Sequence, residues 1–393
     1  MLSSPQMGTT GALSLPEPWM LRGFQDGEGG RGATSRPDLF PRRRSREKLR
    51  VVNFIGLSGP AGIWGLAGTN SMMLAASEIN RRGGILGREI ETVFHDAGGD
   101  IEGITQSAAD MIAAGDADII MGSHISAVRV ALRKVIAGRV PYIYTPVYEG
   151  GERTPGVMAI GETPRDQSRP AIEWMASEKK ATRWYLIGSD YVWPWLAHKA
   201  TKKYIAGAGG RVVGEEFVAL GERNHDAQIA RIRAAKPDVV VISLIGTDSI
   251  VFNRAFAEHG LASKVLRLAG AMDETLLLGM GADSSEGLYC SSGYFVGRPS
   301  AANDAFRAQY ESSFGRCAPA PGSIAQSNYE GIRFLETVAT KAGSFDVRLM
   351  LNAASSVAYH GARGEVSMRG WRAKMPIYLA EADGLDFKLI RTF

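Results

Sequence analysis

From residue 49 onward the chain alternates between two hydrophobic patterns. Short contiguous apolar runs, such as Leu49–Leu57, Trp184–Ile187 and Asp238–Leu244, have the length of strands buried on both faces. Between them lie longer stretches with an apolar position every three or four residues, which predict helices. The first strand, Leu49–Leu57, runs into a loose turn through Gly59, Pro60, Gly62 and Gly65. A helix follows, with Met72, Met73, Ala75, Ala76 and Ile79 on its inner face and a stop at Gly83-Gly84. Then come strand Glu89–His95, helix Glu102–Ala114, strand Asp118–Met121, another helix and strand Tyr142–Tyr144. Such alternation with short connections implies a parallel sheet with right-handed crossovers.

A short strand, Val157–Ile160, leads through residues 161–164, and the pattern then restarts. Helices over Arg165–Lys179, Trp195–Ala208, Asp226–Ala235 and Asp248–His259 alternate with strands over Trp184–Ile187, Val212–Leu220, Asp238–Leu244 and Val265–Ala269. This is a second α/β lobe of the same kind. After Leu288–Phe295, helices over Ala301–Phe314, Ser323–Ala342 and residues 345–355 fit a return to the first lobe. Strands over Gly364–Met368 and Pro376–Phe393, the latter turning near Ala382, fit a return to the second. The expected organisation is an extension over 1–48, a first lobe over 49–163 and 296–362, and a second over 164–295 and 363–393.

Composition changes this picture little. At 393 residues the chain exceeds one ordinary core. The net charge of +4 comes from residues 41–50, which alone carry +5, so the body is near neutral and no nucleic-acid face is implied. Residues 1–48, rich in Gly, Pro, Ser and Arg, read as a disordered, solvated extension. No run of about 18 apolar residues predicts a membrane span. The first 20 residues lack a basic n-region followed by an unbroken apolar run, so a cytoplasmic location is expected, with a periplasmic one as the alternative. Cys290 and Cys317 belong to no metal-binding spacing and read as small buried hydrophobes. No metal and no cofactor is expected.

The stretch Gly122–Gly151 organises the candidate chemistry. Ser123, His124 and Ser126 sit where one strand gives way to its helix, and Tyr144, Pro146 and Tyr148 sit where the next strand ends. Both ends open on the carboxyl edge of the sheet, where open α/β sheets bind ligands. Hydroxyls, an imidazole and aromatic faces would converge there with the free N–H groups of a helix start. Enzymatic patterns are weak. Gly56, Gly59 and Gly62 follow a strand, but their spacing is not that of a dinucleotide loop, and Pro60 lacks an amide. There is no GxSxG elbow. His124 and Ser126 could form a base and a nucleophile, yet at i and i+2 they suit hydrogen bonding to a guest better.

Together with Ser126, the segments ASEINRRGGILGREIETVFHDAGGD (76–100), PVYEGGERTPGV (146–157), IGSDYVWP (187–194) and GARGEV (361–366) resemble type I periplasmic-binding-fold proteins of the amide and urea branch. That branch holds the amide sensor of an aliphatic amidase operon and the solute-binding subunits of urea and short-chain-amide ABC transporters. The resemblance spans residues 50–393. It implies an α/β fold of two lobes, each a parallel sheet flanked by helices, hinged by three crossings and closing on a ligand. Carried over by position, Ser123, His124, Ser126, Tyr144, Pro146 and Tyr148 would form the first-lobe pocket. Tyr191, Trp193, Gly246, Thr247 and Asp273 would face it from the second lobe, with Trp64 at the mouth. His124 and Trp193 stand where the amide sensor has Tyr. Asp273 can equally cap the helix that follows it, or hold a ligand ammonium as carboxylates do in amino-acid binders of this fold.

The expected function is therefore a binding protein, not an enzyme, that closes on a small amide, urea or amino-acid-like ligand and reports it to a regulatory protein partner. The alternative is the receptor of an ABC permease for urea, short-chain amides or branched-chain-type amino acids. A third reading is a small amide hydrolase using Ser126. Homo-oligomers are compatible with either binding role, and neither requires direct nucleic-acid contact or membrane insertion.

Overall fold

The computed structural model describes residues Lys48–Phe393, so the expected extension lies, apart from Lys48, outside the described residues. Five strands build the first sheet: β1 (Lys48–Ile55), β2 (Glu89–Asp96), β3 (Ile119–Ser123), β4 (Tyr142–Tyr144) and β5 (Val157–Ala159). Their order is β2-β1-β3-β4-β5 and every pairing is parallel. Helices α1 (Gly65–Asn80), α2 (Ile101–Ala114) and α3 (Ser126–Ile136) make the crossovers. The two-residue period of β1 explains the layering. Leu49 and Val51 enter one core with α1, while Val52 and Phe54 enter the opposite core with α2 and α3.

The second sheet contains β6 (Arg183–Ser189), β7 (Arg211–Val218), β8 (Val239–Ser243), β9 (Leu266–Ala269) and β10 (Leu288–Ser292). These five run parallel in the order β10-β9-β8-β6-β7. Helices α4 (Ser168–Glu178), α5 (Val192–Gly207), α6 (Asp226–Ala235), α7 (Gly246–Glu258) and α8 (Glu274–Met280) alternate with them. Next come α9 (Ala301–Phe314), α10 (Ser323–Ala342) and α11 (Val347–Ala354). Helix α10 packs along α1, and Phe334, Leu335 and Val338 fill the first lobe's core.

The chain closes with β11 (Ala358–Gly361), β12 (Gly364–Arg369), β13 (Arg372–Lys374), β14 (Tyr378–Asp383) and β15 (Asp386–Thr392). Strands β14 and β15 add antiparallel to the β10 edge of the second sheet. Strand β12 does not join them. It pairs with β11 and β13 in a separate three-stranded sheet, and Met368 and Ala373 pack into the first lobe's core.

Three further local expectations are corrected. Met73, expected on the inner face of α1, is exposed, because its neighbours Met72 and Leu74 take the buried positions. Helix α5 begins at Val192 rather than Trp195, since Pro194 falls in the first turn, where its missing N–H costs nothing. Cys290 is buried but Cys317 is exposed, and both are free thiols.

Candidate ligand-binding site

Strand β3 ends at Ser123, and Ile125 turns the chain in extended backbone so that α3 starts at Ser126. The leading N–H groups of an α-helix have no partner within the helix, so this turn presents donors next to the Ser126 hydroxyl. Strand β4 ends alongside at Tyr144. From the second lobe, Tyr191 immediately precedes α5 in extended backbone and Trp193 lies in its first turn. These ends face one another across a narrow interlobe cavity of about 40 Å³. Trp64, Ser123, His124, Ser126, Tyr144 and Pro146 line it from the first lobe, and Tyr191 and Trp193 from the second. Much of the remaining wall is aliphatic: Ile55, Val147, Ile245, Ala271 and Ile324. Isolated apolar residues at element ends resemble ordinary core in a sequence, so these carried no signal.

His124 is a fixed, neutral part of the wall. Its Nδ1 donates to the Ile125 carbonyl at 3.0 Å, so Nε2 accepts from the Tyr142 hydroxyl, also at 3.0 Å. Burial pulls the imidazole pKa down to about 3. With both nitrogens engaged away from Ser126, His124 is not placed as the base of a serine hydrolase. The Tyr144 hydroxyl donates to the His124 carbonyl at 2.7 Å. Ser123 belongs to a buried network, accepting from Asn328 at 3.0 Å while Asn328 accepts from Asn53 at 3.0 Å.

Beneath this wall lies an ion cluster that the sequence did not reveal. Arg129, one turn after Ser126, pairs with Glu149 and, at 3.1 Å, with Glu152; Arg133 reaches Glu152 at 3.2 Å. The Arg129 side chain is 2% exposed, and its guanidinium lies 5.0 Å from the ring centroids of both Tyr144 and Tyr148. Burial opposes the Arg129 charge, but Glu149, Tyr144 and Glu152 together outweigh it and hold the guanidinium above its ordinary range. Burial also pushes the Tyr148 phenol up to about 12. Tyr148 is thus buried over Arg129 and does not line the cavity.

The other second-lobe candidates lie beside the cavity rather than on its wall. Asp273 is fully buried, caps α8 through Leu276 N, and accepts the Trp64 indole N–H at 3.0 Å across the lobes. Its neighbour Glu274 is buried as well, which pushes its pKa up to about 8, and it accepts from Val296 N at 2.7 Å. Gly246, at φ +51°, opens α7 against the first lobe, where a Cβ would come within 1.7 Å of the Pro60 carbonyl oxygen. Thr247 follows it in the first turn of α7.

Residues 48–386 match the model of a family described as periplasmic binding protein. A Leu/Ile/Val-binding protein of Rhizobium johnstonii is 24% identical over 237 residues, covering 59% of this chain and 64% of its own length. A solute-binding protein of an ABC transporter from R. palustris, solved with 4-hydroxybenzoate, aligns at TM-score 0.79 and 21% identity over 88% of this chain and 97% of that one. A leucine-binding protein of Thermotoga maritima aligns at TM-score 0.76 and 18% identity over 88% and 98%. The two-lobed α/β fold is the one these structures share. None of these three is named for amides, urea or regulation, so the narrower branch suggested by the motifs and the cytoplasmic sensor role gain no support from them.

Proposed function

Because the chain belongs to the periplasmic binding protein family, we propose that it is the solute-binding component of an ABC transporter, working in the periplasm and delivering its ligand to a membrane permease. The observation that carries this reading is an interlobe cavity whose walls are aromatic and aliphatic around one polar corner at the start of α3. The matching ligand is a small molecule with a carboxylate or amide head and a branched aliphatic or aromatic body. The head would take the free N–H groups of α3 and the Ser126 hydroxyl, as anions and carbonyls do at helix starts. Because Glu149 and Glu152 already balance Arg129, it would not meet an unpaired cation. The body would lie against Trp64, Tyr191 and Trp193, and burial at roughly 25 cal/mol per Å² rewards apolar area. Urea has almost none to bury, and leucine and 4-hydroxybenzoate both have the favoured form.

We place the hinge crossings near residues 163 and 295 and, rather than near 362, between Lys374 and Tyr378, because β13 still packs on the first lobe and β14 joins the second sheet. The Glu162 carboxylate lies beside them, accepting from Gly293 N at 2.9 Å and from Arg363 at 3.0 Å.

A thermal-shift panel of leucine, valine, benzoate, 4-hydroxybenzoate, acetamide and urea tests the reading. A ligand at a hundredfold over its Kd stabilises by about 2.7 kcal/mol, and at least one carboxylate should do so. Tyr191→Ala should weaken that ligand roughly thirtyfold while leaving the ligand-free melting point nearly unchanged, because Tyr191 is only half-buried. Unaltered affinity in Tyr191→Ala, or a response confined to urea, would contradict the proposal.

A further inference from the structure

The cavity described above does not end the space open to a ligand. Trp193 is also a wall of a second, smaller cavity of about 20 Å³ in the second lobe, room for roughly one polar group or water. This compartment sits at the carboxyl ends of β8, β9 and β10, where Ser243, Gly270 and Ser291 lie, the edge on which such sheets place ligands. Its lining is more polar than the first cavity's, with Gln167, Ser243 and Ser291 contributing. Two of these are already committed. Ser291 donates to the Gln167 carbonyl at 2.9 Å, and the Gln167 amide donates to the Gly270 carbonyl at 3.1 Å. The residue between the cavities differs. Trp193 is 5% exposed, and its indole N–H makes no hydrogen bond within the protein. Buried donors almost always find a partner. As a wall against Tyr191, whose ring centroid is 6.2 Å away, a phenylalanine would serve as well.

Building on the function proposed above, we infer that the site is bipartite. The ligand's head lies at α3, its apolar body between the aromatic rings, and a hydrogen-bond acceptor at its far end reaches the Trp193 N–H and the polar compartment behind it. The ligand class is then a bifunctional molecule: a carboxylate or amide head and, across an apolar middle, a hydroxyl, carbonyl or ether oxygen.

Calorimetric titration with two matched pairs, benzoate against 4-hydroxybenzoate and leucine against glutamine, tests this. In at least one pair the member with the distal polar group should bind roughly tenfold tighter to the wild type. Trp193→Phe, which keeps an aromatic ring and removes the donor, should abolish that preference by weakening the member with the distal polar group about tenfold more than the plain one. Ser243→Ala, a change too small to threaten the fold, should narrow it about threefold and decides the matter if Trp193→Phe does not fold. Equal weakening of both members by Trp193→Phe, a preference unmoved by Ser243→Ala, or a wild-type preference for the plain member in both pairs overturns the bipartite site alone. Binding of none of the four overturns the proposed function and this inference with it.

Discussion

Gly246→Ala should cost the protein most of its ligand affinity without unfolding it. Gly246 holds φ at +51°, and its α-carbon sits so close to the first lobe that a Cβ would lie 1.7 Å from the Pro60 carbonyl oxygen. The obstacle is backbone, which cannot rotate aside, so the added methyl is relieved by the lobes moving apart. The left-handed conformation costs alanine roughly 1–2 kcal/mol with the lobes open or closed, and therefore lowers stability but not affinity. The overlap exists only when the lobes meet. At about 1–3 kcal/mol, typical of an overpacked contact, it lowers affinity roughly 5- to 150-fold, because the ligand must now drive a costlier closure. Titration calorimetry on Gly246→Ala, beside its melting curve, separates the two effects. Wild-type affinity in a folded Gly246→Ala would mean that this contact is not part of the ligand-holding state.

Arg129→Leu acts on the floor of the site. It leaves the Glu149 and Glu152 side chains, 4% and 1% exposed, without the guanidinium that balances them. Arg133 still reaches Glu152 at 3.2 Å, so the stranded charge is chiefly Glu149. Removing one partner of a buried ion pair costs about 3–5 kcal/mol, far more than the pair itself contributes over an apolar replacement. Urea denaturation should show a loss of that size, and adding Glu149→Gln should recover a large part of it, since no buried charge then lacks a partner. A loss under about 1 kcal/mol would show that the cluster is hydrated or rearranges freely. The same cluster fixes Tyr144 and Tyr148 through the guanidinium face, so affinity should fall with stability in Arg129→Leu.

The sequence made some of this legible and concealed the rest for physical reasons. Strands buried on both faces are contiguous apolar runs, and helices between them carry a different period, so the two parallel sheets could be read directly from residues 49 to 292. The wall formed by Ser123, Ser126 and Tyr144 followed from where strand ends must point, whereas Tyr191 and Trp193 came only from the resemblance; all five line one cavity. The separate sheet of β11, β12 and β13 was not legible, because its strands are three to six residues long and their pairing says nothing about which lobe they pack on. Pro194 disguised the start of α5, and with it the fact that Trp193 is held in a helical first turn. Asp273 permitted two readings at the sequence level, ligand carboxylate or helix cap. Only coordinates could show it capping α8 and bonded to Trp64 of the other lobe. The Arg129 cluster was hidden for the plainest reason, since its partners lie 20 and 23 residues away and meet only after β4 has paired with β3.

On the proposed function, two lobes close on a small solute and release it unchanged. Small-angle X-ray scattering, titrated with the strongest ligand of the thermal-shift panel and followed by mass spectrometry of that ligand, tests it most directly. The radius of gyration should fall and saturate at one ligand per chain, with the ligand recovered intact. A radius that does not move at saturating ligand, or a recovered ligand that has been chemically altered, would contradict it.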